Sequence, residues 1–99
     1  MVKTEILNVN GKLVQGVHSN APGGEGHPNM LVMVLPKGYI MCGYLNLDTS
    51  TAVNDAACVI GGASFEDLLA HPVKAVSTEG EKLGIKIGMT GAEVCEILG

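Results

Sequence analysis

Apolar positions open the chain in a short alternating pattern. Ile6-Leu7-Asn8-Val9 and Lys12-Leu13-Val14 flank Asn10-Gly11. A two-residue loop of this type needs positive φ at both positions, which Asn and Gly tolerate, so the pattern predicts a β-hairpin. If Val9 faces Lys12, Leu7 faces Val14, which gives the hairpin one apolar face and one mixed face. The stretch from His18 to Asn29 is dense in Gly and Pro with almost nothing to bury, and predicts a mobile loop. Met30-Leu-Val-Met-Val-Leu35 then runs apolar without alternation, Pro36-Lys37-Gly38 turns the chain, and Tyr39 to Leu45 runs apolar again.

Two successive strands with no polar side imply cover on both faces. Helices of the same chain supply one cover. Little else remains in 99 residues for the other, so a second copy of the chain is the economical answer.

Beyond Leu47 the elements shorten. Asp48 and Thr49 are candidate caps for a weak helix to about Asp55, and Ala57 to Ile60 reads as a strand closed by Gly61-Gly62. Ser64 is positioned to cap a helix with Glu66 and Asp67 in its first turn, where negative charge suits the dipole, and with Phe65, Leu68 and Leu69 on one face. His71-Pro72 ends it, with His71 read as a partner for its terminal carbonyls. Val73 to Val76 is a further strand, Glu79 to Leu83 a turn of helix stopped by Gly84, and Thr90-Gly-Ala-Glu93 a capping box opening a final helix. Strands first and helices later point to one α+β domain: a mixed β-sheet with an N-terminal hairpin and short helices packed on one face. Residues 1–46 form its β-rich part and residues 47–99 a mixed part.

Charge narrows the function classes. Six Lys+Arg, all of them lysine, stand against ten Asp+Glu, net −4. A chain without arginine and with acidic balance is a poor nucleic-acid binder. No apolar run approaches the roughly 20 residues of a membrane helix, and the N-terminal residues carry no secretory or transit pattern. A cytoplasmic location with reduced thiols is the expectation for Cys42, Cys58 and Cys95, whose spacing fits neither a disulfide framework nor a zinc knuckle.

The motifs Gly38-Tyr-Ile-Met-Cys-Gly43 and Leu83-Gly-Ile-Lys-Ile-Gly-Met-Thr-Gly91, with Phe65-Glu-Asp-Leu-Leu69 and Pro72-Val73 between them, are similar to those of the YunC-like family. This is a domain family of unknown function from bacteria and archaea, and the likeness spans roughly residues 30–98. It implies an α+β domain whose β-rich N-terminal part takes part in tetramer assembly. It brings no reaction, substrate or catalytic residue.

Four candidate sites follow from the residues themselves. Cys42, between Gly38 and Gly43, could act as a nucleophile if a histidine approached it; a small buried hydrophobe is the plainer role. Gly61, Gly62 and Ser64, between strand and helix, could offer donors to a small anionic ligand, although the turn lacks the lysine of a P-loop and is equally an ordinary tight turn. His18 and His27, with Glu25, have the chemistry of a metal site but no ligand spacing. Met30, Met33, Met41 and Met89 with Tyr39 and Tyr44 could line an apolar pocket, or fill a core that has few aromatics. No cofactor is called for. The expected role is a homo-oligomeric, non-catalytic domain binding a small ligand or a partner, with a cysteine-dependent enzyme using Cys42 as the alternative.

Overall fold

The computed structural model describes residues 2–99. Its frame is a six-stranded mixed sheet, ordered β1-β2-β3-β4-β5-β6 as in the sequence. The strands are β1 (Val2–Val9), β2 (Lys12–Ser19), β3 (Met30–Leu35), β4 (Gly38–Met41), β5 (Ala57–Ile60) and β6 (Val73–Val76). All neighbours run antiparallel except β4 and β5, which are parallel. The helices α1 (Leu47–Ala52), α2 (Phe65–Ala70), α3 (Thr78–Lys82) and α4 (Gly91–Leu98) complete the α+β fold.

The first turn forms as its chemistry requires. Asn10 and Gly11 take φ of 52° and 86°, and the register sets Val9 against Lys12 and Leu7 against Val14. β2 runs on through Ser19, so His18 lies in the strand, opposite Lys3 and Leu31, and not in the loop expected to start there. Ladder partners on both sides override the loop-like composition of His18-Ser19-Asn20.

Leu31, Met33, Leu35, Ile40, Cys58 and Ile60 share one sheet face and form the core with Leu68 of α2 and Val94, Cys95 and Leu98 of α4. The Lys37 N–H donates to the Leu98 carbonyl and ties the end of α4 to the β3–β4 turn. Three glycines permit the close approaches: a Cβ at Gly38 would fall on the Ala56 carbonyl, one at Gly91 on the Leu68 carbonyl, and one at Gly16 on the ring of Phe65.

α1 lies toward the opposite face. Tyr39, on the side away from Ile40, gives its phenol proton to Asp55 and accepts from Ser50 of α1, both at 2.7 Å. The neighbouring side chains of that face at β4 and β5, Met41 and Ala57, are buried. Over β1–β3 the same face is open, with Ile6 and Leu13 each 65% exposed and Val34 37%. β3 is therefore packed on the Leu31–Met33–Leu35 side and wetted at Val34 on the other.

Helix starts follow their caps with two differences from expectation. Ser64 and Thr90 cap α2 and α4 as read, Thr90 within a full capping box. Asn46, not Asp48 or Thr49, caps α1, which ends at Ala52, and Ser77 caps α3. His71 turns away from the end of α2: its Nδ1 donates to the Gly61 carbonyl at 2.8 Å.

Candidate functional site

The parallel pairing of β4 and β5 places their C-terminal ends side by side, where open parallel sheets commonly hold ligands. Each strand there runs into glycine. β4 continues into Cys42, whose N–H donates to Leu31 O at 3.0 Å and whose Sγ accepts from the Leu31 N–H at 3.3 Å. Gly43-Tyr44 then turns the chain, and Leu45 N closes on Cys42 O. β5 ends in Gly61-Gly62, after which Ser64 caps α2.

Between these two turns lies a cleft of about 320 Å³, lined by Pro28, Asn29, Cys42, Gly43, Tyr44, Gly61 and Gly62. That volume falls at the small end of ligand pockets. The Gly-rich segment supplies its third wall. Asn29 accepts from Ala21 N and donates to Ala63 O, each at 3.0 Å, and so fixes the end of that segment against the β5 turn. Nothing in the sequence pattern marks Asn29 for this role beyond its being an amide able to do both.

Cys42 and the pair Gly61 and Gly62 thus share one cleft, from positions far apart in the chain. Ser64 does not join them. Its hydroxyl accepts from Asp67 N, and Asp67 Oδ2 already takes the Ala63 N–H, so a carboxylate of the chain occupies the donor next to the cap. The N–H groups of Gly43, Tyr44, Gly61 and Gly62 make none of the backbone bonds that close the neighbouring turns. Of the lining side chains only Cys42 and Tyr44 are titratable, and Cys42 is 4% exposed.

The histidines stand elsewhere. His18 packs edge-on against Phe65, centroids 6.1 Å apart, with its Nε2 buried and without a hydrogen-bond partner. His27 lies against Gly23 within its own loop. No group of three His, Cys, Asp or Glu able to hold a metal occurs among the described residues. The other two thiols are fully buried. Desolvation, with Cys95 nearby, pushes Cys58 up to about 12, and desolvation, with Glu96, pushes Cys95 up to about 11. Burial likewise raises the Tyr39 phenol, Asp55 adding to the effect and the Ser50 hydrogen bond opposing it. Met33 and Met41 fill the interior, and Tyr44 alone of the methionine and tyrosine set lines the cleft.

This chain belongs to the family of the domain of unknown function DUF1805, whose model matches residues 41–98. That span contains Cys42, Gly61 and Gly62 but not Pro28 or Asn29. Among its relatives is the uncharacterized protein YunC of Bacillus subtilis (strain 168), 36% identical in an alignment 85 positions long that covers 70% of this chain and 84% of YunC. The fold is also similar to the crystal structure of a protein of unknown function, TA1206 from Thermoplasma acidophilum, with a TM-score of 0.88 and 34% identity over 100% of this chain and 94% of that one. No helix among the described residues is long and apolar enough to cross a membrane.

Proposed function

We propose that this chain is a self-assembling, non-catalytic binding domain that holds a small anionic ligand between the ends of β4 and β5. The observation that carries this reading is the cleft itself. It sets Gly43, Tyr44, Gly61 and Gly62, whose N–H groups are not spent on closing turns, around one space with almost no ionisable side chain in it. Backbone donors of this kind recognise an oxyanion. General acid–base chemistry needs a titratable group within reach of substrate. The lining itself offers only a phenol and a thiol, and of the two titratable side chains beside Gly61, His71 is engaged by the Gly61 carbonyl and Lys74 is a cation suited to an anion. Self-assembly rests on the open apolar face at Ile6, Leu13 and Val34, within residues 1–46.

Titration with inorganic phosphate and, separately, acetate, followed by amide NMR, tests the site. Saturable shifts at Gly43, Gly61 and Gly62 are expected; their absence with both anions overturns the anion reading.

One observation favours a cysteine-dependent enzyme instead: Cys42 lines the cleft and its Sγ receives the Leu31 N–H, a bond that strengthens for a thiolate. Under the binding reading, iodoacetamide at neutral pH leaves the native protein unmodified. Rapid alkylation at Cys42 would reverse that choice.

A further inference from the structure

The ladder between β5 and β6 skips a residue. Val59 pairs with Ala75 and Ile60 with Val73, so Lys74 is the extra residue of a bulge and has no partner on β5. A bulge bends its strand and re-aims a side chain, and bulges are frequent beside binding and active sites. Here the side chain of Lys74 comes to the end of β5: a Cβ at Gly61 would stand 2.6 Å from its Nζ and 3.2 Å from its Cε.

This approach accounts for Gly61. Its φ lies outside the left-handed region, so the backbone alone would accept a larger residue there. What the missing side chain leaves is room for an ammonium against the turn.

The charges around the turn are unequally engaged. His71 Nδ1 donates to the Gly61 carbonyl. Asp67, whose Cβ lies against Gly62, spends Oδ2 on the Ala63 N–H and holds Oδ1 3.9 Å from His71 Nε2. Lys74 stands in no ion pair among the described residues. A cation without a partner thus sits beside a cleft whose backbone N–H groups are also unspent.

We propose that Lys74 closes the β6 side of this cleft over the bound ligand, and that the ligand presents a phosphoryl group and not a carboxylate. This rests on the anion-binding reading above and names its charge partner and ligand class. Lys74 does not line the cleft in this structure, but its exposed, flexible stem lets the ammonium swing from Gly61 across the rim. Gly43, Tyr44, Gly61 and Gly62 bring four N–H groups and Lys74 an ammonium. A carboxylate has about four acceptor sites and a single charge. A phosphoryl group has three terminal oxygens and close to two charges at neutral pH, so it uses more donors and gains more from the lysine. Lysine serves phosphate as a point charge, without the fork geometry that arginine brings. The lysine absent from the glycine turn itself is supplied by the neighbouring strand.

Amide NMR titrations with inorganic phosphate and with acetate, at about pH 8 and constant ionic strength, test this on the wild type, Lys74→Gln and Lys74→Arg. In the wild type, phosphate should saturate the Gly61 and Gly62 shifts about tenfold more tightly than acetate. Lys74→Gln should weaken phosphate binding by about tenfold and acetate binding by less. Lys74→Arg keeps the charge and should stay within about threefold of the wild type. Equal melting temperatures of the three proteins show that the exposed substitution leaves the fold intact. Phosphate binding as tight in Lys74→Gln as in the wild type overturns the role of Lys74, and acetate binding as tight as phosphate overturns the ligand class; either result leaves the anion site standing. No saturable shift with either anion in the wild type overturns the anion reading and this proposal with it.

Discussion

The two halves of this sheet contribute to one core but are covered unequally on the face away from it. At β4 and β5 the core face lies under α2 and α4, and the opposite face is closed beside α1, so that Met41, Ala57, Cys58 and Ile60 are all buried. At β2, β3 and the Val9 end of β1 the core face is packed, while the other leaves Ile6, Leu13 and Val34 to water. The difference traces to connectivity. The parallel β4–β5 step demands a crossover, which brings α1 across the sheet, whereas antiparallel hairpins need only a turn and bring nothing with them. The crossover also brings together the two glycine-bearing strand ends that form the cleft, so cover and candidate site come from the same topological step.

The largest effects should fall where cover is complete. Leu68 is fully buried between α2, α4 and the sheet, and Leu68→Ala is expected to cost about 2–5 kcal/mol in urea unfolding. Gly91→Ala should cost at least about 1–3 kcal/mol, because its Cβ would meet the Leu68 carbonyl, which is backbone and cannot swing aside. A loss below 1 kcal/mol at both positions would mean that α2 and α4 do not seal the core as described.

The buried thiols sharpen the same contrast through pH. Cys58 and Cys95 rise from an ordinary 9.0 to about 12 and about 11, so the folded chain keeps protons that the unfolded chain releases above pH 9. The stabilisation is therefore whole below pH 9 and is lost as pH climbs toward the folded values. The decline amounts to about 1.4 kcal/mol per pH unit for each thiol that ionises only on unfolding. Melting temperatures across this alkaline range should fall less steeply for Cys58→Ala than for the wild type. Equal slopes would show that Cys58 ionises as readily folded as unfolded.

Local chemistry was largely readable from sequence. Asn10-Gly11 tolerates the positive φ that a two-residue turn needs at both positions, and Thr90 and Glu93 each accept the other's backbone N–H as a capping box does. The cap of α1 was read at Asp48 or Thr49 and Asn46 was passed over, because all three side chains are competent and only the extended backbone of Asn46, with its side chain on the Asp48 N–H, decides among them. His18 was misplaced because its neighbours look like loop, while the ladders that hold it in β2 come from Lys3 and Leu31. The cleft was legible as parts but not as a whole. Cys42 and Gly61-Gly62 stood out by type, yet their meeting depends on β4 and β5 being parallel, and Asn29 enters through bonds to Ala21 and Ala63 that no periodicity announces.

The smallest effect belongs to the open face, and under the self-assembly proposed above its size depends on concentration. In the dissociated chain, Ile6→Thr removes little packing from a side chain already 65% exposed, so unfolding of dilute protein should change by less than about 0.5 kcal/mol. Association stabilises the folded state by mass action. The wild type should therefore gain in melting temperature as concentration rises, and Ile6→Thr should gain less. The gap between them opens only in concentrated samples. A loss of 2 kcal/mol or more in dilute solution would place Ile6 inside the packed interior of a single chain, and the two halves of the sheet would then be covered alike.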